Sequence, residues 1–124
     1  MWPFFLSKII MIKTESLKSN LDFSKVYKNG KSYANRLLVM YVSENGKDIN
    51  RLGISVSKKV GNSVVRHRLK RLVKESYRLH EAVFNSGLDI VIVARVNAKD
   101  KDYKDIESAL LHLGKLQGII LTTS

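Results

Sequence analysis

Residues 51–80 read RLGISVSKKVGNSVVRHRLKRLVKESYRLH, and a change of period inside this stretch decides the fold. Over residues 51–57 the side chains alternate, with Leu52, Ile54 and Val56 on one side and Gly53, Ser55 and Ser57 on the other, as a half-buried strand requires. Gly61-Asn62 then signals a turn, and Asn62 or Ser63 can cap a helix. From Val64 to about Phe84 the period becomes helical. Val65, Leu69, Leu72, Ser76, Leu79 and Val83 fall on one stripe, which should pack against a sheet.

Downstream, residues 88–95 (LDIVIVAR) form a strand with almost no polar face, which places it at the centre of a sheet. Upstream, residues 36–43 (RLLVMYVS) are strand formers and Glu44-Asn45-Gly46-Lys47 supplies a turn, so the simplest pairing is a hairpin with the strand at 51–57. Residues 20–29 read as a short helix, capped by Ser19 or Asn20 and closed by Gly30. Lys101 or Asp102 opens a last helix, with Ile106, Leu110, Leu113 and Leu116 or Gln117 at helical spacing. The order helix, strand, strand, helix, strand, helix predicts an α+β domain around one small sheet.

The charge is concentrated in the same stretch. The chain has 124 residues, 44% of them hydrophobic, enough for one folded domain. Lys and Arg number 22 against 11 Asp and Glu, a net charge of +11. Such an excess predicts a polyanionic partner: RNA, DNA or an anionic membrane surface. Within residues 51–80 stand nine cations (Arg51, Lys58, Lys59, Arg66, Arg68, Lys70, Arg71, Lys74 and Arg78) and one acid, Glu75, or +8 of the +11. Helical geometry puts Arg66, His67, Lys70, Arg71, Lys74 and Arg78 opposite the apolar stripe, with Arg66, Lys70 and Lys74 in one row. Like charges so spaced destabilise a helix by roughly a few tenths of a kcal/mol per pair. An ordinary solvated face mixes signs, so this one reads better as a ridge for phosphates. Lys58 and Lys59 extend it to the helix N-terminus, where backbone N–H groups also attract phosphate.

Other chemistries find little support. Without cysteine there is no disulfide or thiolate site, and His67, His80 and His112 are too scattered for a zinc cluster. No paired carboxylates or nucleophile–base set stands out, so no catalytic residue and no metal ligand is assigned. Residues 1–12 (MWPFFLSKIIMI) are apolar but fall short of the roughly 20 residues that a membrane-spanning helix needs. They also lack the basic start and cleavage site of a secretory signal. They read as an extension upstream of a natural start at Met11, with the domain over residues 13–124; the other reading is a short interfacial anchor. The expected protein is cytoplasmic, with no membrane and no small-molecule partner.

Residues 52–71, LGISVSKKVGNSVVRHRLKR, resemble the signature of the bacterial ribonuclease P protein family: a Lys-Lys-hydrophobic-Gly-Asn-Ala-Val run leading into Arg-Asn-Arg-x-Lys-Arg. Asp22 to Gly30 and Ala34-Asn35-Arg36 resemble the family's opening helix and first strand, and Asp89 to Arg95 its last strand. The likeness covers about residues 14–116. It implies an α-β-β-α-β-α sandwich of ribosomal-protein type with a left-handed β-α-β crossover, against the general rule. It implies that Lys58, Lys59, Asn62, Arg66, His67, Arg68, Lys70 and Arg71 contact a catalytic RNA subunit. It further implies a cleft for the single-stranded 5′ leader of precursor tRNA, formed by Phe23, Tyr27, Tyr41, Arg66, Lys70 and Lys74. Aromatic faces would stack unpaired bases while cations track the backbone; for each aromatic the other reading is core packing. Hydrolysis would fall to the RNA with Mg²⁺, held mainly by that RNA.

One residue departs from the pattern. His67 stands where the family commonly has Asn, and an imidazole donates, stacks or carries charge but does not offer a carbonyl oxygen. Two rival readings remain: a ribosomal or ribosome-assembly protein with no part in catalysis, and a DNA-groove reader. The second fits poorly, because a strand and not a helix precedes the basic helix.

Overall fold

A computed structural model describes residues 14–121, so the extension expected over residues 1–12 lies outside the described residues. Among the described residues the chain runs β1 (Thr14–Ser16), α1 (Asn20–Asn29), β2 (Lys31–Ala34), β3 (Leu38–Glu44), β4 (Asn50–Ser55), α2 (Ser63–Leu79), β5 (Leu88–Ala94) and α3 (Tyr103–Gln117). Single 3-10 turns occupy Glu81–Val83 and Val96–Ala98. The class is α+β, as expected. One five-stranded sheet is ordered β1-β4-β5-β3-β2. Its short, mostly exposed edge strands β1 and β2 carry no alternation that reveals them in the sequence.

The hairpin expected between β3 and β4 does not form. Instead β5 lies between them, antiparallel to β3 and parallel to β4. The cause is the composition of β5. Leu88, Ile90, Ile92 and Ala94 enter the larger core on one face, while Val91 and Val93 join a smaller cluster on the other. A strand apolar on both faces gains most when it has neighbours on both edges and layers above and below. The connection at residues 45–49 passes under the start of β5. Asn45 donates its backbone N–H to Gly87 O and its Nδ2 to Asp89 Oδ1. Gly87 adopts a φ of 81°, and a Cβ there would stand 2.9 Å from Lys47 O. The β4–α2–β5 segment joins two neighbouring parallel strands through a helix, a β-α-β crossover.

Helices α2 and α3 pack over one face of the sheet; α1 covers part of the other, where Val26 meets Leu17 and Val91. Ser19 Oγ caps α1 and accepts from Asp22 N at 3.1 Å, Asn62 Oδ1 caps α2 and accepts from Val65 N at 3.0 Å, and Asp102 caps α3 in a reciprocal box with Asp105. Helix α2 stops at Leu79, earlier than expected, because a 3-10 turn brings Phe84 back to within 5.0 Å of the Tyr77 ring. Its buried arc is also rotated from the expected stripe. Leu69, Val73, Ser76 and Tyr77 are buried, Val65 and Leu72 only partly, and Leu79 and Val83 are exposed. Apolar residues occupy more than half of this helix's circumference, so spacing leaves the arc open and contact with β4 and α3 selects it. In α3 Gln117, not Leu116, turns inward, donating Nε2 to Lys31 O and Met40 O.

Candidate nucleic-acid interface

A groove runs between α1, β4 and α2. It consists of two adjoining hollows of about 310 and 410 Å³ that share Phe23, Ile54 and Lys70. Leu17, Phe23, Gly53 and Ile54 make its apolar floor. His67, Lys70, Arg71 and Lys74 make one wall, successive side chains along the exposed side of α2. At the other end Tyr27 lines the second hollow, 39% exposed. Its ring lies 6.4 Å from Phe23 and stands edge-on to Tyr41 at 4.9 Å.

The aromatics divide their work. Phe23 both packs against the Leu17–Val26–Val91 cluster and lines the groove, so the two readings of this residue are not exclusive. Tyr41 packs on the same cluster and supports Tyr27. Gly53 allows the arrangement: a Cβ there would stand only 2.6 Å from Phe23 Cζ. The ring therefore rests on the β4 backbone. An ion-pair clasp fixes the start of α1 beside it. Arg51 donates Nε and Nη2 to the two carboxylate oxygens of Asp89, at 2.8 and 2.6 Å, and its Nη1 lies 3.7 Å from Asp22. Burial by itself would raise the Asp89 pKa, but hydrogen bonds from Arg51 and Asn45 outweigh it and hold the carboxyl below its usual value. The hydrogen bond to Asp89 in turn raises the Arg51 pKa, against the opposing effect of burial.

The cations expected to form one ridge point in different directions. Consecutive helical residues diverge by about 100°. His67, Lys70, Arg71 and Lys74 face the groove. Arg66 turns back, Nε donating to Gly61 O at 3.2 Å. Arg68 leaves on the far side, where Nη2 donates to Lys101 O at 2.7 Å. Lys58 and Lys59 stand exposed at the turn before α2, and Asn62 is occupied as its cap. Arg78 does not belong to the ridge at all: it is buried and paired with Glu75. Among the described residues none of Lys58, Lys59, Lys70, Arg71 or Lys74 forms an ion pair. Sequence reasoning missed the floor residues Leu17, Gly53 and Ile54 and the Asp22–Arg51–Asp89 clasp. The i, i+4 pair Phe23 and Tyr27 was the available signal for a helix face turned to the groove.

An apolar floor bounded by aromatic rings and by unpaired cations suits a single strand of nucleic acid, with bases on the floor and phosphates along the wall. Comparison with known proteins identifies the chain's relatives. A family model described as Ribonuclease P matches residues 11–116. The chain is 66% identical over 107 residues to the ribonuclease P protein component of Lachnoclostridium phytofermentans, covering 86% of this chain and 92% of that protein. It is 55% identical over 109 residues to the component from Clostridium botulinum, covering 87% and 98%. The solved ribonuclease P protein of Staphylococcus aureus superposes with a TM-score of 0.79 at 40% identity, over 85% of this chain and 96% of that one. The Thermotoga maritima protein gives 0.75 at 35%, over 82% and 96%.

Proposed function

The chain belongs to the ribonuclease P protein family, and on that premise we propose that its groove holds the single-stranded 5′ leader of precursor tRNA. As a ribonuclease P protein component its partner is ribonuclease P RNA, and the ribosomal and DNA-reading alternatives are not favoured. The observation that carries the leader assignment is the pairing of an apolar, aromatic floor with a wall of unpaired cations. Phe23 and Tyr27 would stack bases, and Lys70 and Lys74 would follow the phosphates; Tyr41 acts through Tyr27. Lys58, Lys59, Arg66, Arg68 and Arg71 would meet the RNA subunit, with Asn62 shaping that turn as a cap. His67, inside the groove, would stack on the leader or donate to it rather than offer the carbonyl of an Asn.

In this proposal the phosphodiester is hydrolysed by the RNA subunit. The protein contributes binding energy, distinguishing precursor from mature tRNA and screening repulsion between RNA strands. Mg²⁺ belongs to the RNA. Among the described residues no three His, Asp or Glu side chains gather where a metal could bind, and Asp22 and Asp89 are both held by Arg51. Among the described residues, the side-chain donors thus form no cluster suited to Mg²⁺. No helix among the described residues is long and apolar enough to cross a membrane, and the proposed place of action is the cytoplasm. Reconstitution tests the reading: the protein, ribonuclease P RNA and precursor tRNA are mixed at low Mg²⁺, and 5′ processing is followed. Stimulation over RNA alone is expected; its absence would refute the function proposed.

A further inference from the structure

Away from the groove lies a second hollow of about 370 Å³, between the β2–β3 turn and the outer side of α3, which shares no lining residue with the first. We propose that this hollow takes one unstacked nucleotide of the ribonuclease P RNA, its phosphate on Arg36 and Lys101 and its base against Leu37, Ala109 and His112. The proposal rests on the RNA-binding role given above.

The hollow is built around Asn35. Its Oδ1 accepts the backbone N–H groups of Leu37 and Leu38, at 3.1 and 3.0 Å, which settles which end of the amide is oxygen. Nδ2 must then donate, to Ala109 O at 3.0 Å and to His112 Nδ1 at 3.1 Å. His112 Nδ1 is therefore the acceptor, so the ring is in the tautomer that carries its proton on Nε2. That N–H is left as a donor for a base edge. The same turn is clamped from behind, with Arg95 Nη1 donating to Asn35 O at 2.8 Å and Arg95 N to Leu37 O. The result is a hollow with Leu37 and Ala109 on its floor and donors at its rim, large enough for a nucleoside. Asp105, the one acid on its wall, already accepts from the Asp102 backbone N–H.

Arg68 connects this hollow to the basic helix. It leaves α2 on the side away from His67 and bonds the carbonyl of Lys101, itself a wall residue. The cations Arg68, Lys101, Arg36 and Arg95 thus continue across the α3 side of the molecule, while Lys70 and Lys74 serve the groove. Two separate basic surfaces suit two separate strands. The groove is assigned to the leader, and the hollow extends, through the Arg68–Lys101 contact, the surface assigned to the structured RNA.

The chain contains no cysteine, so single-cysteine variants of the full protein accept one photoactivatable aryl azide at a chosen place. With the probe on Ser108→Cys, irradiation of the holoenzyme with precursor tRNA bound should give a crosslink to one discrete site of the ribonuclease P RNA. Ser24→Cys, in the groove, should mark the leader. Ser86→Cys, at the opposite end of β5, is the background control. In parallel, Arg36→Ala/Lys101→Ala should bind ribonuclease P RNA about tenfold more weakly without substrate, with a salt slope reduced by about 1.5. Its preference for leader-bearing over leaderless tRNA at saturating protein should stay unchanged. Crosslinking at Ser108 no stronger than at Ser86, an unchanged affinity, or a crosslink to the leader would each overturn the assignment. Failure of the unmodified protein to bind the RNA or stimulate processing would instead overturn the underlying function.

Discussion

Replacing Gly53 by Ala should damage both stability and the groove, chiefly through Phe23. Gly53 does not adopt a positive φ, so the backbone accepts Ala. The added Cβ would stand 2.6 Å from Cζ and 2.8 Å from Cε2 of Phe23, and 3.1 Å from Leu17 Cδ1. Carbon atoms rest at about 3.5–4.0 Å, so the ring must retreat by about 1 Å. It borders open space and can do so by moving into the groove toward Lys70. Overpacking of this kind costs about 1–3 kcal/mol, and the open hollow favours the lower half. In a Phe23→Leu background the two clashing ring atoms are gone. Gly53→Ala should there be neutral, or stabilising by about 0.5 kcal/mol through the lost freedom of the unfolded chain. Urea unfolding of the four proteins at constant m-value gives the coupling energy, expected at about 1–2 kcal/mol. The single Gly53→Ala variant should also lose affinity for leader-bearing precursor while keeping its affinity for ribonuclease P RNA. Additive stability effects, within about 0.5 kcal/mol, would refute the idea that Gly53 exists to seat the ring.

Asp89→Ala should cost about 2–4 kcal/mol, below the full price of a buried pair because Arg51 keeps some exposure to water. The Asp89 pKa lies below its usual value of 3.8, so its contribution is present above that pH and is lost as pH falls through the folded value. Urea midpoints of the unmodified protein and Asp89→Ala should therefore converge in acid. Tyr77→Phe removes hydrogen bonds to Thr14 Oγ1 and from Asn50 Nδ2, at 2.8 and 3.1 Å, and should cost about 1–2 kcal/mol by the same assay. Burial raises the Tyr77 pKa above its usual 10.0, opposed by those two bonds. Its share of stability is full below pH 10.0 and is lost as pH rises through the folded value, so thermal melts should show a smaller alkaline loss in Tyr77→Phe. Lys70→Ala/Lys74→Ala should reduce the slope of log affinity against log salt for a single-stranded leader by about 1.4, measured by titration at several salt concentrations.

Much of the molecule was legible in order along the chain. The limits of α1 at Asn20 and Asn29, the central place of β5, the capping of α2 by Asn62 and the basic character of α2 all follow from local pattern. Each depends on residues within a turn or two of one another: cap side chains, apolar alternation, charge at helical spacing. The family signature at residues 52–71 is local in the same way, and it carried the function.

What spacing left open was decided by partners far along the chain. The choice between pairing β3 with β4 and inserting β5 between them depends on how β5 buries two faces, a matter of residues 38 or more positions away in sequence. Helical angle ranked the cations of α2 around its axis, yet it could not show that Arg78 turns inward to Glu75 or that Arg68 reaches Lys101. Nor could it show why position 53 is glycine, since the atom it must avoid belongs to Phe23, thirty residues earlier. The sequence by itself determined which elements form and that the protein carries phosphate-binding charge. Only the tertiary structure divided that charge between the groove beside α1 and the other faces of α2, because side-chain direction is settled by the neighbours that packing brings together.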